Sequence, residues 1–235
     1  MKLIMENWRQ YLNESIDPRI QKQIDMLLAL PDVAIKLQLR GGAAGSAEGF
    51  RVSYVRTGKG AAQPLTHGDS NYKDGEKVKT GYPHGSVDIF RDKNEVGECL
   101  DSWFVYNADA EQGWGPLLYE IALEWASQNG GGLGSDRAIV SPYAQAVWNK
   151  YAARSDVGIK QMDVSHDLHG TTIGGEDVED FPQLTPDAPE DDCDQSIAID
   201  IDGKRWHKSS LSKMYFKGTP EVMTVLKKAG RLVEG

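Results

Sequence analysis

Residues 103–118 constrain the fold more than any other part of the chain. Trp103-Phe104-Val105-Tyr106 reads as a strand, and Asn107 to Gln112 as a short polar turn. Gly113-Trp114-Gly115-Pro116 then opens a helix whose positions Leu117, Leu118, Ile121, Ala122 and Trp125 make one broad apolar face. Asn129-Gly130-Gly131-Gly132 breaks it. A period of two that switches within a dozen residues to a period of 3.6 places a sheet strand directly against a packing helix, which is an α/β arrangement.

The rest of the chain supplies the partners. Asp17 and Pro18 read as N-cap and first residue of a helix carrying Ile20, Ile24, Leu27 and Leu28 and ending before Pro31. Val33, Ile35, Leu37 and Leu39 alternate with polar residues, and Phe50, Val52 and Tyr54 repeat the pattern after a small-residue turn, predicting a hairpin. Residues 58–81 read as a long polar loop. Strands are expected at 86–91, 99–106, 157–163 and 196–201, the last turning at Asp202-Gly203. Ser141-Pro142 opens a further helix, with Ala144, Val147, Trp148 and Tyr151 on one face.

Composition narrows the function classes. The chain has 235 residues, 40% hydrophobic, with a net charge of −9. That balance disfavours wrapping a nucleic-acid backbone, and no apolar run reaches the roughly 20 residues of a membrane span, so neither nucleic acid nor membrane is an expected partner. The charge is uneven. Residues 176–194 hold nine acids and no base, interspersed with prolines, and are expected to be a mobile segment. Beyond Gly203, Lys204, Arg205, Lys208, Lys213, Lys217, Lys227, Lys228 and Arg231 face only Glu221 and Glu234. Cys99 and Cys193 form no metal-binding pair, and both are expected as free thiols in a reducing compartment. His166 and His169 with Asp163 and Asp167 read as a polar loop, so no metal site is expected. Ser86 and Ser141 lack the neighbours of a hydrolytic triad.

A helix start offers backbone N–H groups without partners and the positive end of the macrodipole, and glycines there let a phosphate approach. Pro116 removes one donor from that set. Gln112-Gly113-Trp114-Gly115, set between strand and helix, resembles the coenzyme A pyrophosphate turn of the GNAT N-acetyltransferase superfamily, Arg/Gln-x-x-Gly-x-Gly/Ala, with Leu117 replacing the last small residue. Ser141, Ala144 and Trp148 stand where the family's next helix carries Asn, Ala and Tyr. The resemblance covers residues 33–163 and implies acetyl-CoA as cofactor, with transfer of its acetyl group to an amine. It implies a cofactor surface made of Phe104, Val105, Tyr106, Gln112, Gly113, Trp114, Gly115 and Ser141. Tyr151, one turn beyond Trp148, is the implied proton donor to the leaving thiolate, and Asp101 or Glu98 the implied base. The helix pair that family members place between their first two strands is absent from the sequence pattern. A non-catalytic protein of the same fold, and a host-protein inhibitor using the acidic segment, remain alternatives.

Residues 1–14 carry Ile4, Trp8, Tyr11 and Leu12 on one helical stripe and end Leu12-Asn13-Glu14. They resemble the capsid-targeting leaders of internal head proteins in T-even-type tailed phages, cut after Leu/Ile-x-Glu. That resemblance implies phage head proteins and a prohead protease as partners, and the virion interior or host cytoplasm as location. An ordinary N-terminal helix packed on the domain accounts for the same residues. The expected fold is thus α/β: a GNAT-like mixed, mostly antiparallel sheet flanked by helices, with a mobile acidic insertion. Its divisions are a leader at 1–14, the main domain at 15–175, the acidic segment at 176–195, and a hairpin strand with basic tail at 196–235.

Overall fold

The computed structural model describes residues 16–41, 47–58, 63–65, 83–92, 99–165, 172–173, 176–177 and 181–235. The leader, most of the loop at 58–81, Glu98, His166, Asp167 and His169 lie outside them. Asp17 accepts the N–H of Arg19 at 2.8 Å, and α1 (Pro18–Leu28) follows, burying Ile20, Ile24 and Leu27 while Leu28 stays exposed. The alternating segments form β1 (Val33–Gly41) and β2 (Ala47–Arg56), paired antiparallel as a hairpin, with β3 (Gln63–Pro64) on β2. Next come β4 (Gly85–Asp92), β5 (Ser102–Ala110), α2 (Gly115–Gln128), β6 (Gly132–Gly134), α3 (Pro142–Ala152) and β7 (Gly158–Gln161). The remainder comprises β8 (Asp163–Val164), β9 (Thr172–Ile173), β10 (Glu176–Asp177), β11 (Asp192–Cys193), α4 (Ser196–Asp202), β12 (Lys213–Phe216), α5 (Glu221–Lys228) and β13 (Leu232–Glu234).

The main sheet runs β13-β1-β2-β4-β5-β6-β12-β7, with β3 beside β2. Every pairing in it is antiparallel except β13 with β1 and β5 with β6. The molecule is therefore a mixed α/β protein with a mostly antiparallel sheet. Successive strand residues face opposite sides, so Trp103 and Phe104 enter different cores. Trp103 joins Ile24, Leu27, Leu117, Leu118, Ile121, Trp148, Val222 and Leu226, the apolar faces of four helices. Phe104 joins Cys99, Met162, Cys193 and Met214 on the other side.

Two local features shape β5. It pairs with β6 only from Ser102 to Phe104, because β6 ends at Gly134 while β5 continues to Ala110. The parallel pair therefore parts, and the sheet opens beyond Phe104. Against β4, Val105 faces Ile89 and Asn107 faces Asp88, so Tyr106 is the extra residue of a β-bulge. Close packing explains the glycines of β6: at Gly132, φ is +141° and a Cβ would lie 2.2 Å from the carbonyl oxygen of Tyr215.

Several expectations are corrected. Residues 196–201 are helical as α4, not a strand: Ile197, Ala198 and Ile199 are consecutively buried, which a period of two does not allow. Beyond it there is no hairpin turn at Asp202-Gly203, since residues Gly203–Lys208 form a short helical turn. The chain re-enters the sheet as β12, between β6 and β7, and its last strand lies along β1. β5 begins at Ser102, since Cys99, Leu100 and Asp101 form a left-handed turn with φ of 43°, 55° and 55°. Cys99 and Cys193 are not free thiols. They form a disulfide with Cα atoms 4.9 Å apart, and the reducing compartment inferred from free thiols loses its basis. The described part of the acidic segment is packed rather than mobile: Phe181 is buried, β11 pairs with β8, and Asp163 accepts from the N–H of Thr185 at 2.7 Å.

Candidate functional site

The opening between β5 and α3 is a cleft of about 870 Å³, within the range of small-molecule sites. One wall is β5 from Val105 to Ala110. The end is the turn Glu111-Gln112-Gly113 with Gly115 and Pro116, and the far wall is α3 with the residues before it. Of the cofactor-binding residues expected from sequence, Val105, Tyr106, Gln112, Gly113, Gly115 and Ser141 line this cleft. Phe104 and Trp114 do not. Phe104 lies in the second core, and Trp114 is buried edge-on against Tyr54, ring centroids 5.6 Å apart.

The turn is built for close approach. Gly113 has φ +91°, a conformation side chains resist, whereas a Cβ at Gly115 would meet only that of Ala110, at 3.6 Å. Among the first three N–H groups of α2, Pro116 has none and that of Leu117 donates to Gln23 Oε1 at 2.7 Å. Gly115 carries the other. Gln23 Nε2 also donates to the carbonyl of Gly113, and Tyr54 Oη donates to the carbonyl of Trp114 at 2.9 Å. Ser141 Oγ serves its own helix, accepting the N–H of Ala144 at 3.2 Å.

Of the expected catalytic residues, Tyr151 and Asp101 do not line the cleft, and Glu98 lies outside the described residues. Tyr151 is buried outside the cleft, tilted against Tyr215 and under the guanidinium of Arg154, and burial pushes its pKa well above the ordinary phenol value. Asp101 is exposed and bonded to Arg91 Nη1 at 2.5 Å. It precedes the first residue of β5, whereas the cleft lining on that strand begins at Val105. Trp148 does line the cleft, with its ring stacked on Tyr215 at 5.5 Å.

The sequence reading missed Tyr143, which is 89% exposed on the first turn of α3 and lines the cleft with Ile139 and the 72% exposed Tyr106. Its position two residues after the Ser141 cap was a usable signal. Asp109, Glu111, Asp136 and Lys150 supply the lining charge, and Glu111 lies 3.5 Å from the buried His84. Tyr119, also in the wall, has its pKa pushed up to about 12, by burial first. Among the described residues, Asp163, Asp191 and Asp192 lie close enough to share a cation. Asp163 already accepts from Val164 and Thr185, however, and Thr185 Oγ1 also donates to Asp191. No helix among the described residues is long and apolar enough to cross a membrane.

Comparison with known proteins finds no matching family model, no matching characterised protein and no matching solved structure.

Proposed function

We propose that the chain is a GNAT-type N-acetyltransferase that takes acetyl-CoA and acetylates an amine. One observation carries the reading: where β5 runs on past its parallel partner β6, a cleft opens between β5 and α3, with a bulge at Tyr106 on its wall and a glycine turn at its end. The strand order, with one of its two parallel pairs leading into the cleft, supports the same reading. The residues fit the cofactor at the turn, where the space over Gly115 is open to a phosphate oxygen. Bound acetyl-CoA supplies the acetyl group as an activated thioester.

The chain's own residues then divide the work. A backbone N–H freed by the bulge at Tyr106 polarises the carbonyl that is attacked. Asp109, Glu111 and Asp136 line the approach of an ammonium acceptor and take the proton it must lose, in place of Asp101, which does not line the cleft. The phenols facing the cleft, Tyr106 and Tyr143, replace Tyr151 as proton donors to the leaving thiolate. Calorimetry with acetyl-CoA tests the reading: wild type binds, and Gly115→Glu, whose side chain fills the open space, does not. Absence of wild-type binding at millimolar ligand overturns it.

A second reading is a non-catalytic protein that keeps the cleft. It is favoured by Trp148, whose indole N–H donates a hydrogen bond but transfers no proton at neutral pH, standing where the family carries a tyrosine. Binding without turnover selects it. In either case we propose that residues 1–14 are a phage-head leader. Mass spectrometry of phage particles then finds the chain starting at Ser15, and an intact leader in mature heads refutes the address without touching the acetyltransferase reading.

A further inference from the structure

We infer that Gln23 and Tyr54 are positioning residues of the cleft, which aim the glycine turn's N–H of Gly115 at the ligand by pulling two successive carbonyls of the turn into the core. The inference rests on the acetyl-CoA reading above and says which residues outside the cleft make its phosphate contact possible.

The argument is one of peptide geometry. Every described peptide bond is trans, so a C=O and the N–H of the next residue point in opposite directions. Tyr54 Oη donates to the carbonyl of Trp114 at 2.9 Å from a wholly buried ring in β2. With that carbonyl drawn inward, the N–H of Gly115 must point outward, on the side where Gly115 lines the cleft. Gln23, on α1 and itself buried, ties the preceding peptide of the turn to the helix start, one end of its amide on each. Nε2 donates to the carbonyl of Gly113, and Oε1 accepts the N–H of Leu117 at 2.7 Å.

The Gln23 clamp also spends a helix-start donor on structure. Leu117's N–H is withdrawn from any ligand, which leaves a single aimed donor of the first three. Burial holds the Tyr54 phenol well above its ordinary pKa, so it stays a neutral donor at every working pH. Neither residue lines the cleft, so neither is placed to touch a molecule bound there. Their effect on binding must therefore pass through the turn.

That route has a signature a merely structural role lacks. S-Acetylpantetheine carries the same acetyl group and arm as acetyl-CoA but no pyrophosphate. Tyr54→Phe keeps the buried ring and removes one oxygen, so the fold is retained. Calorimetry is expected to show acetyl-CoA binding about tenfold weaker in Tyr54→Phe, the worth of one aimed hydrogen bond, with S-acetylpantetheine unchanged. Gln23→Met, which gives up the bond to the Gly113 carbonyl, should weaken acetyl-CoA in the same selective way. Equal losses for both ligands, or no loss for acetyl-CoA, overturn the positioning role while leaving the acetyltransferase reading standing. A wild type that binds neither ligand overturns both.

Discussion

Lys217 Nζ lies 3.0 Å from Oε1 of Glu120 and 3.3 Å from Oε1 of Glu124, with all three side chains shut away from solvent. Burial opposes the lysine's charge, but the two carboxylates outweigh it and hold its pKa above the ordinary value. Removing the lysine leaves the two acids unequally served. Glu120 retains Arg154, at 2.6 Å and 2.9 Å, whereas Glu124 retains only the N–H groups of Val222 and Met223 at the start of α5. Lys217→Met is expected to cost about 3–5 kcal/mol, the range for breaking one side of a buried ion pair. Urea unfolding at pH 8 checks it, and a loss below about 1 kcal/mol contradicts the account.

Glu124 gives the same cluster a pH dependence. Burial raises its pKa from 4.5 to about 7, against the pull of Lys217 and of the two N–H groups. A carboxyl whose folded pKa lies above its unfolded one binds more protons when folded. Its stabilising contribution is complete below about 4.5 and is lost as pH rises to about 7. Between those values the difference in unfolding free energy between wild type and Glu124→Gln should move by on the order of 3 kcal/mol in favour of the variant. Parallel profiles for the two proteins would refute this.

The aromatic hydroxyls near the cleft separate by exposure. Tyr151→Phe is expected to leave turnover unchanged, because its ring is buried outside the cleft. Of Tyr106→Phe and Tyr143→Phe, the one that carries the proton should lower kcat about 100-fold with little change in KM, as an interaction made only in the transition state does. Steady-state kinetics at saturating acetyl-CoA distinguishes them. A tenfold or greater loss in Tyr151→Phe would return the role to that residue.

Joining Cys99 to Cys193 closes a loop with a sequence separation of 94. Chain-entropy reasoning puts the stabilisation at up to about 4–5 kcal/mol for such a loop. It also ties down the left-handed turn at Cys99, Leu100 and Asp101, a conformation that disfavours each of these non-glycine residues. Reduction with a dithiol, or Cys99→Ser with Cys193→Ser, should lower the denaturation midpoint in step with that figure. Identical midpoints before and after reduction would exclude a stabilising bridge.

What could be read from the residues alone was whatever depends on near neighbours. The alternation in β1 and β2 gave their hairpin, because a one-residue slip would turn Val33, Ile35 and Leu37 to solvent. Asp17 with Pro18, and Ser141 with Pro142, located two helix starts through their own side chains. At Ser196 to Ile201 the same reasoning failed, since three isoleucines two apart fit a strand while burial of Ile197, Ala198 and Ile199 is helical. Pairings across the fold left no local trace. The chain's late return as β12 between β6 and β7, the union of Cys99 with Cys193, and the reach of Gln23 to a turn 90 residues away all depend on the assembled molecule. The glycine turn was legible because its chemistry is contiguous, but what aims it was not.

The covalent bridge has a topological consequence for the cleft. Apart from Val87, every described residue lining it falls between Cys99 and Cys193, inside one closed ring of chain. A single cut anywhere along that ring frees no fragment, so both walls stay attached to each other through the sulfurs. Gln23 and Tyr54 belong to the chain outside the ring. The vessel and the two hands that steady its rim are thus held by different kinds of bond: the first by a closed covalent circuit, the second only by packing and hydrogen bonds that α1 and β2 must keep.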